Sequence, residues 1–145
     1  TLTLRPALSA LSIGYAASLL QYAIDKKLIV KSNICSKPKL LRIEHLPVEV
    51  RKIYQSSYLQ LLNSLSSLSA TSDYNASDPN NYLLTVKDLA ESIITMLNAK
   101  QPLDSHTYLE QLTRYCEKWD KVYRYNALAL YPEWAFLREF NYAPS

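Results

Sequence analysis

The chain has 145 residues, of which 48% are apolar and 20% are charged, and its net charge is +3. This length and balance are typical of one globular domain that can bury a core without a disulfide or a structural metal. A single glycine argues against β-rich folds, dinucleotide-binding domains and phosphate-binding loops, which need glycine at positive φ, and so predicts an all-α fold.

The first predicted helix runs from Pro6 to about Lys27 and is apolar on nearly all sides. Ala10, Gly14 and Ser18 form a row of small residues that lets another helix approach closely. Polar side chains interrupt the apolar run, so we expect a central helix of a bundle rather than a membrane span. Such a helix could also be covered by a partner or by a second copy of the chain.

Helical periodicity is lost over residues 26–47, where we predict an irregular connector. This connector has a local net charge of +5, so the basic character of the chain is concentrated there. Its cations are Lys26, Lys27, Lys31, Lys37, Lys39 and Arg42. They are candidate ligands for an anionic partner such as RNA, and the alternative is a solvated connector without a ligand.

Apolar residues at helical spacing predict a second helix from Pro47 to about Ala70. Residues 67–81 are rich in serine, asparagine and aspartate and are predicted to form a polar loop. Thr85 and Asp88 resemble a capping box at the start of a third helix, which ends before the next proline. These two helices each present one apolar face to a core.

The last part of the chain is predicted to contain two further helices. A long fourth helix begins at Asp104 or Ser105 and continues to about Tyr131, and Pro132 begins a short fifth one. The sequence therefore predicts a bundle of about five helices with one basic connector and one polar loop.

Aromatic and basic residues are mixed along the fourth helix, which is also a pattern found in nucleic-acid-binding surfaces. On a helical wheel Trp119 and Tyr123 share a face with leucines, which predicts a buried stripe. Lys118, Lys121 and Arg124 project from the other side, and acidic residues one turn earlier are expected to pair with the basic ones. Because carboxylates would repel phosphates, this pattern favours a core helix with a salt-paired outer face.

The histidines and cysteines do not form a recognisable site. His106 and Cys116 lie ten residues apart on one predicted helix, about 15 Å along its axis, which is too far for a shared zinc ion. His45 and Cys35 complete the set, and neither a zinc-protease motif nor a nucleophile elbow occurs. We therefore expect no catalytic residue, no metal and no cofactor.

The C-terminal segment YPEWAFLREFNY contains five aromatic residues. Tryptophan and tyrosine dominate the energetics of many protein interfaces, so this segment is predicted to bind a partner protein. The predicted partner-binding residues are Trp134, Phe136, Phe140 and Tyr142. The alternative is that these side chains pack the last helix onto its own bundle.

Taken together, these patterns predict that residues 1–145 form a single interaction domain. The start TLTLRP lacks methionine, which indicates a fragment of a longer chain. Two cysteines without a CxxC motif, and no secretory signal, indicate an intracellular protein of the nucleus or cytoplasm. The predicted function is that of a non-enzymatic adaptor or scaffold in a multi-subunit complex, bound to another protein or to a second copy through the apolar first helix. The alternative is RNA binding through residues 26–42.

Overall fold

A computed structural model describes residues 2–143 as a mainly helical fold. The helices found there are α1 (Ile13–Asp25), α2 (Val48–Leu68), α3 (Tyr82–Leu97), α4 (Ser105–Tyr123), α5 (Ala127–Leu130) and α6 (Phe136–Glu139). The predicted all-α bundle is thus confirmed, with α5 and α6 as single helical turns. None of the helices in this described part is long and apolar enough to cross a membrane.

The N-terminal segment is extended where the first helix was expected to begin. Its two-residue strands β1 (Thr3–Leu4) and β2 (Ala7–Leu8) pair in parallel with β3 (Ile29–Val30) and β4 (Asn33–Ile34) of the connector. These pairings provide hydrogen-bond partners for backbone N–H and C=O groups, which in a helix would have bonded to each other. The helix therefore begins only at Ile13, and the predicted start at Pro6 is wrong.

The connector is less irregular than the sequence suggests. After β4 it forms two 3₁₀ turns, Lys39–Leu41 and Ile43–His45, and both pack against α4. The backbone N–H of Ala10 donates to the carbonyl of Leu41 at 2.8 Å, which ties the start of the chain to the first of these turns. The connector thus lies between the N-terminal segment and α4.

Helix α3 begins earlier than predicted because a different residue caps it. The Asn81 Oδ1 accepts a hydrogen bond from the backbone N–H of Leu84 at 3.1 Å. Thr85 lies inside the helix, where its hydroxyl accepts a hydrogen bond from the N–H of Val30 at 3.1 Å. The predicted capping box is therefore not used, and Thr85 links α3 to β3 instead.

Helix α4 ends earlier than predicted because Arg124 adopts a left-handed conformation with φ of 57°. Asn126 then caps α5, with its Oδ1 accepting from the N–H groups of Leu128 and Ala129. The chain between Pro132 and Ala135 is a turn, so the last helix starts at Phe136 rather than at the proline. One predicted helix is thus two helices joined by a sharp bend.

The single glycine lies where α1 approaches α2. A Cβ atom at Gly14 would lie 2.7 Å from Cε1 of Tyr54. The Tyr54 ring cannot retreat easily, because its hydroxyl donates to Glu133 Oε1 at 2.5 Å and accepts from Trp134 Nε1 at 2.7 Å. Glycine is therefore required here by close packing.

We expect Gly14→Ala to lower the free energy of unfolding. Overpacking costs about 1 to 3 kcal/mol, and a contact as close as 2.7 Å belongs to the upper part of that range, about 2 to 3 kcal/mol. The better helix propensity of alanine offsets about 1 kcal/mol, so the net loss should be about 1 to 2 kcal/mol. Urea unfolding measures this loss, with Ser18→Ala on the exposed side of α1 as the matched control. A Gly14→Ala chain as stable as the original would mean that the Tyr54 ring is free to move.

Candidate interaction surface

Two of the four predicted partner-binding residues, Trp134 and Phe136, lie in the core. Trp134 has 0% exposure, and Phe136 is also buried. The Trp134 indole stacks on Tyr131 with ring centroids 4.1 Å apart and lies 5.4 Å from Phe136. Both side chains therefore pack against their own bundle in this fold and offer little or no surface to a partner.

The other two predicted anchors are half-buried against α4. The Phe140 ring lies 4.9 Å from the His106 ring, and the Tyr142 hydroxyl donates to Asp120 Oδ2. Burial raises the pKa of Tyr142 to about 12, and the hydrogen bond to Asp120 acts in the same direction. Phe140 and Tyr142 therefore attach the end of the chain to its own bundle.

The basic residues of the connector are exposed or half-buried, but they do not all lie in one place. Lys27 pairs with Asp73 of the polar loop at 3.6 Å. Arg42 donates through Nε to the carbonyl of Ser36 at 2.9 Å. Lys27 and Arg42 thus contact different parts of the chain, and anion binding through residues 26–42 stays a prediction.

Helix α4 does not bury its aromatic stripe as predicted. Trp119 is 43% exposed, Tyr123 is 53% exposed, and Tyr115 is half-buried. The buried residues of this helix are Ser105, Leu109, Leu112, Thr113, Cys116 and Asp120. The buried line is therefore rotated by roughly 50° from the one predicted from hydrophobicity.

Polar residues account for this rotation. Thr113 is buried, and its hydroxyl donates to the carbonyl of Leu109 at 2.8 Å. Asp120 is buried because its Oδ2 accepts from the Tyr142 hydroxyl and from the N–H of Ala127 at 3.2 Å. These hydrogen bonds offset the cost of burying polar groups, and they turn the aromatic flank of α4 towards solvent.

The ion pairs predicted for the outer face of α4 are also absent from the described residues. Arg114 pairs with Glu117 at 2.7 Å, three positions away, instead of with the acid one turn before it. Lys118, Lys121 and Arg124 are exposed, and within residues 2–143 none of them forms a salt bridge. Among the described residues, the ion pairing on α4 is therefore limited to Arg114 and Glu117.

An apolar cleft of about 230 Å³ lies between α4, α5 and the start of the chain. It is lined by Leu11, Tyr115, Cys116, Trp119, Asp120, Tyr125, Ala127, Leu130 and Tyr131. Asp120 shapes this cleft, because its bond to the Ala127 N–H holds α5 close to the end of α4. The bend after α4 thus creates a cavity that a continuous helix could not have had.

The exposed rings form a row beside the cleft. Trp119 stacks on Tyr123 with centroids 4.6 Å apart, and Tyr123 stacks on Tyr125 at 6.4 Å. Tyr15 of α1 is next to Leu130 of the cleft lining, since its hydroxyl donates to the Leu130 carbonyl at 2.5 Å. We call Tyr15, Trp119, Tyr123, Tyr125 and Leu130 the aromatic surface; each of them is at least 43% exposed.

The ionisable groups near this surface and in the core do not suggest an activated nucleophile. Burial, together with the carboxylates of Asp120 and Glu117, raises the pKa of the Cys116 thiol to about 12, so the thiol remains protonated. His45 is buried with its Nδ1 2.9 Å from the Ser105 hydroxyl, and burial lowers its pKa. The surroundings of Cys116 and His45 therefore favour the uncharged form of each side chain and do not activate either of them.

One sequence signal could have revealed the aromatic surface. Tyr123 and Tyr125 stand two positions apart and would point in nearly opposite directions on a continuous helix. Asn126 before an Ala-Leu run is a cap signal, which indicates that the helix ends between the rings and the run.

Comparisons of the chain with known family models, curated proteins and solved structures found no match.

Proposed function

We propose that this chain is a non-enzymatic interaction domain that binds another protein through the aromatic surface and its cleft. One observation carries the proposal: the exposed side chains of Trp119, Tyr125 and Leu130 line one apolar cleft together. Most exposed apolar side chains of a folded protein need no explanation, but a contiguous group is typical of interaction sites. An adaptor or scaffold role is consistent with such a surface.

The composition of the surface supports a protein partner. Tyrosine and tryptophan are enriched in interface hot spots, where a large ring contributes contact area at a low cost in side-chain entropy. The Trp119 and Tyr123 rings are also held by their mutual stacking, so little further order is needed on binding. The surface therefore has the preorganised anchors that an interface needs.

The experiment compares partner capture by the unchanged chain and by Trp119→Ala. Since Trp119 is 43% exposed, its replacement should leave the fold intact and weaken capture by at least about tenfold. Proteins retained from an extract of the source cells are quantified by mass spectrometry, and circular dichroism checks the fold. Leu59→Ala is the control, because Leu59 is exposed on α2 and does not line the cleft.

A photo-crosslinking amino acid provides a second measurement. Placed at the position of Tyr125, it should form crosslinks to the same proteins, whereas at the position of Leu59 it should not. Equal capture by Trp119→Ala and the unchanged chain, or crosslinks from the Leu59 position alone, would exclude this surface as the binding site.

A further inference from the structure

We propose that a pocket between α2 and the end of α3 binds a small molecule that carries a phosphate group, at a site separate from the aromatic surface. The pocket lies between residues 48–55 of α2 and residues 97–101, and its volume is about 490 Å³. Small-molecule sites typically have volumes of about 300 to 1,000 Å³. Its charged lining residues in the described part of the chain are all cations, so we call it the basic pocket: Arg51, Lys52 and Lys100.

Arg51 is the buried cation of the basic pocket. It is 2% exposed, and its Nε and Nη1 donate to the backbone carbonyls of Leu46, Leu97 and Ala99. A guanidinium also has two N–H donors on Nη2. None of the hydrogen bonds or salt bridges found within residues 2–143 involves Nη2. The backbone bonds therefore fix the guanidinium and leave two donors without an acceptor.

These two donors reach the surface of the pocket. Every fully buried side-chain nitrogen or oxygen in the described part of the chain has a hydrogen-bond partner. Nη2 has none, so it is not fully buried, and Arg51 lines the basic pocket. A donor with little access to water gains from an anionic acceptor, because charge-assisted hydrogen bonds are stronger than neutral ones. Arg51 thus presents a fixed, positively charged donor to an occupant of the pocket.

Two lysines add charge to this fixed donor. Lys52 follows Arg51 on α2, whereas Lys100 belongs to the segment after α3, so the lysines come from opposite walls of the pocket. Both are exposed, and neither forms a salt bridge within residues 2–143. Lysine side chains are long and flexible, so both can approach an anion that is bound to Arg51.

The negative groups near the pocket do not cancel this charge. The acidic residues closest to the lining in sequence are Glu44, Glu49 and Asp104, and none of them lines the pocket. At about 100° per residue, Glu49 lies about 110° from the line of α2 that faces the pocket. The carbonyl groups of Leu97 and Ala99 would repel an anion, but Arg51 Nη1 already binds both of them.

The charge of the pocket favours a phosphate over a carboxylate. A phosphate monoester has a charge of about −1.5 to −2 at pH 7 and three oxygens that accept hydrogen bonds. A carboxylate has a single charge and only two oxygens. Since the pocket has cations on both walls, a phosphate can contact Arg51 and a lysine from each side at the same time.

The rest of the ligand should be apolar. Val48 is 42% exposed and lines the pocket together with Leu97 and Ala99. Covering this apolar wall removes it from water, which adds to the binding free energy. A free phosphate ion would fill only a small part of the volume of about 490 Å³. A phosphate attached to a ring or a short hydrocarbon chain therefore fits better than the ion alone.

Single-stranded RNA is a less suitable occupant, although it also carries phosphates. RNA-binding surfaces usually provide aromatic rings on which bases stack. Among the described residues that line the basic pocket there is no aromatic side chain. The pocket can hold a phosphate but has no platform for a base, which favours a small molecule.

The test uses phenyl phosphate as the probe and isotope-labelled protein observed by two-dimensional NMR. Phenyl phosphate should shift the backbone amide signals of Lys52, Ala99 and Lys100, and the shifts should saturate. Phenylacetate keeps the ring and replaces the phosphate by a carboxylate, and should bind at least about threefold more weakly. Inorganic phosphate lacks the ring and should also bind at least about threefold more weakly.

A charge-matched pair of double variants locates the site. Lys52→Ala with Lys100→Ala should weaken binding of phenyl phosphate by at least about tenfold. Lys118→Ala with Lys121→Ala removes the same charge from exposed positions of α4 that do not line the pocket, and should have little effect. Arg51 is kept in both, because its replacement would also remove its bonds to the backbone. Circular dichroism checks that both double variants are folded.

Four outcomes would overturn the proposal. The first is the absence of saturable shifts in the pocket amides at about 10 mM phenyl phosphate. The second is an equal loss of affinity in the two double variants, which would mean that only net charge matters. The third is equal affinity for phenylacetate, which would exclude preference for a phosphate. The fourth is pocket shifts with oligouridine but not with phenyl phosphate, which would replace the small molecule with RNA. None of these results depends on Trp119, so they leave the proposed protein-binding function to its own test.

Discussion

Replacing Trp134 with alanine is expected to lower the free energy of unfolding by about 3 to 5 kcal/mol. The side chain has 0% exposure, stacks on Tyr131 at 4.1 Å and donates through Nε1 to Tyr54 Oη at 2.7 Å. Its removal leaves a large cavity and takes a donor away from the buried Tyr54 hydroxyl. Since domains are stable by only about 5 to 15 kcal/mol, urea unfolding followed by circular dichroism should show a much earlier transition.

The matched control for this change is Trp119→Ala, which removes the same side chain from a position that is 43% exposed. We expect a loss of about 1 kcal/mol or less there, because much of the ring is already in contact with solvent. Trp134→Phe should give an intermediate loss of about 1 to 2 kcal/mol, since it keeps an aromatic ring and removes the N–H donor. A larger loss of stability in Trp119→Ala than in Trp134→Ala would contradict the finding that Trp134 is buried and Trp119 is exposed.

Arg51→Met is expected to cost about 2 to 4 kcal/mol, because it removes the donor to three backbone carbonyls. Arg51 is 2% exposed; its Nε donates to the Leu46 carbonyl at 2.9 Å, and its Nη1 donates to the Leu97 carbonyl at 3.2 Å and to that of Ala99. The Leu97 carbonyl belongs to the last turn of α3, where a cation also interacts favourably with the helix dipole. The guanidinium therefore serves as the C-terminal cap of a neighbouring helix.

Urea unfolding of Arg51→Met, with Lys52→Met as the control, tests this role. Lys52 is the next residue of α2 and is exposed, so its replacement should change stability by about 0.5 kcal/mol or less. Burial lowers the pKa of Arg51, and the carboxylates of Glu44 and Glu49 act in the opposite direction. An Arg51→Met chain as stable as the Lys52→Met control would show that the cost of desolvating the guanidinium equals the benefit of its hydrogen bonds.

The helices themselves could be predicted because helix formation depends on local periodicity and composition. The scarcity of glycine and the apolar spacing of the second helix are properties of neighbouring residues, and α2 was predicted to within about two residues of its ends. The end of α4 was harder to predict, because Arg124 takes a left-handed conformation that its residue type does not signal.

The burial of the two tryptophans could not be predicted from the sequence, since Trp119 is 43% exposed and Trp134 is fully buried. Hydrophobicity placed Trp119 in the core and Trp134 at an interface, but it cannot account for a buried aspartate. Asp120 is buried only because Tyr142 and the Ala127 N–H, from a later part of the chain, provide hydrogen bonds to its carboxylate.

Local sequence was therefore sufficient for the all-α class and for the approximate positions of the helices, since each depends on residues within a few turns of one another. Which face of α4 is buried depended on contacts made across the fold. The free energy of burying Asp120 depends on hydrogen bonds from residues outside α4, and a helical wheel of α4 does not include those residues. The same contacts hold α5 beside α4 and leave Trp119 exposed at the edge of the cleft.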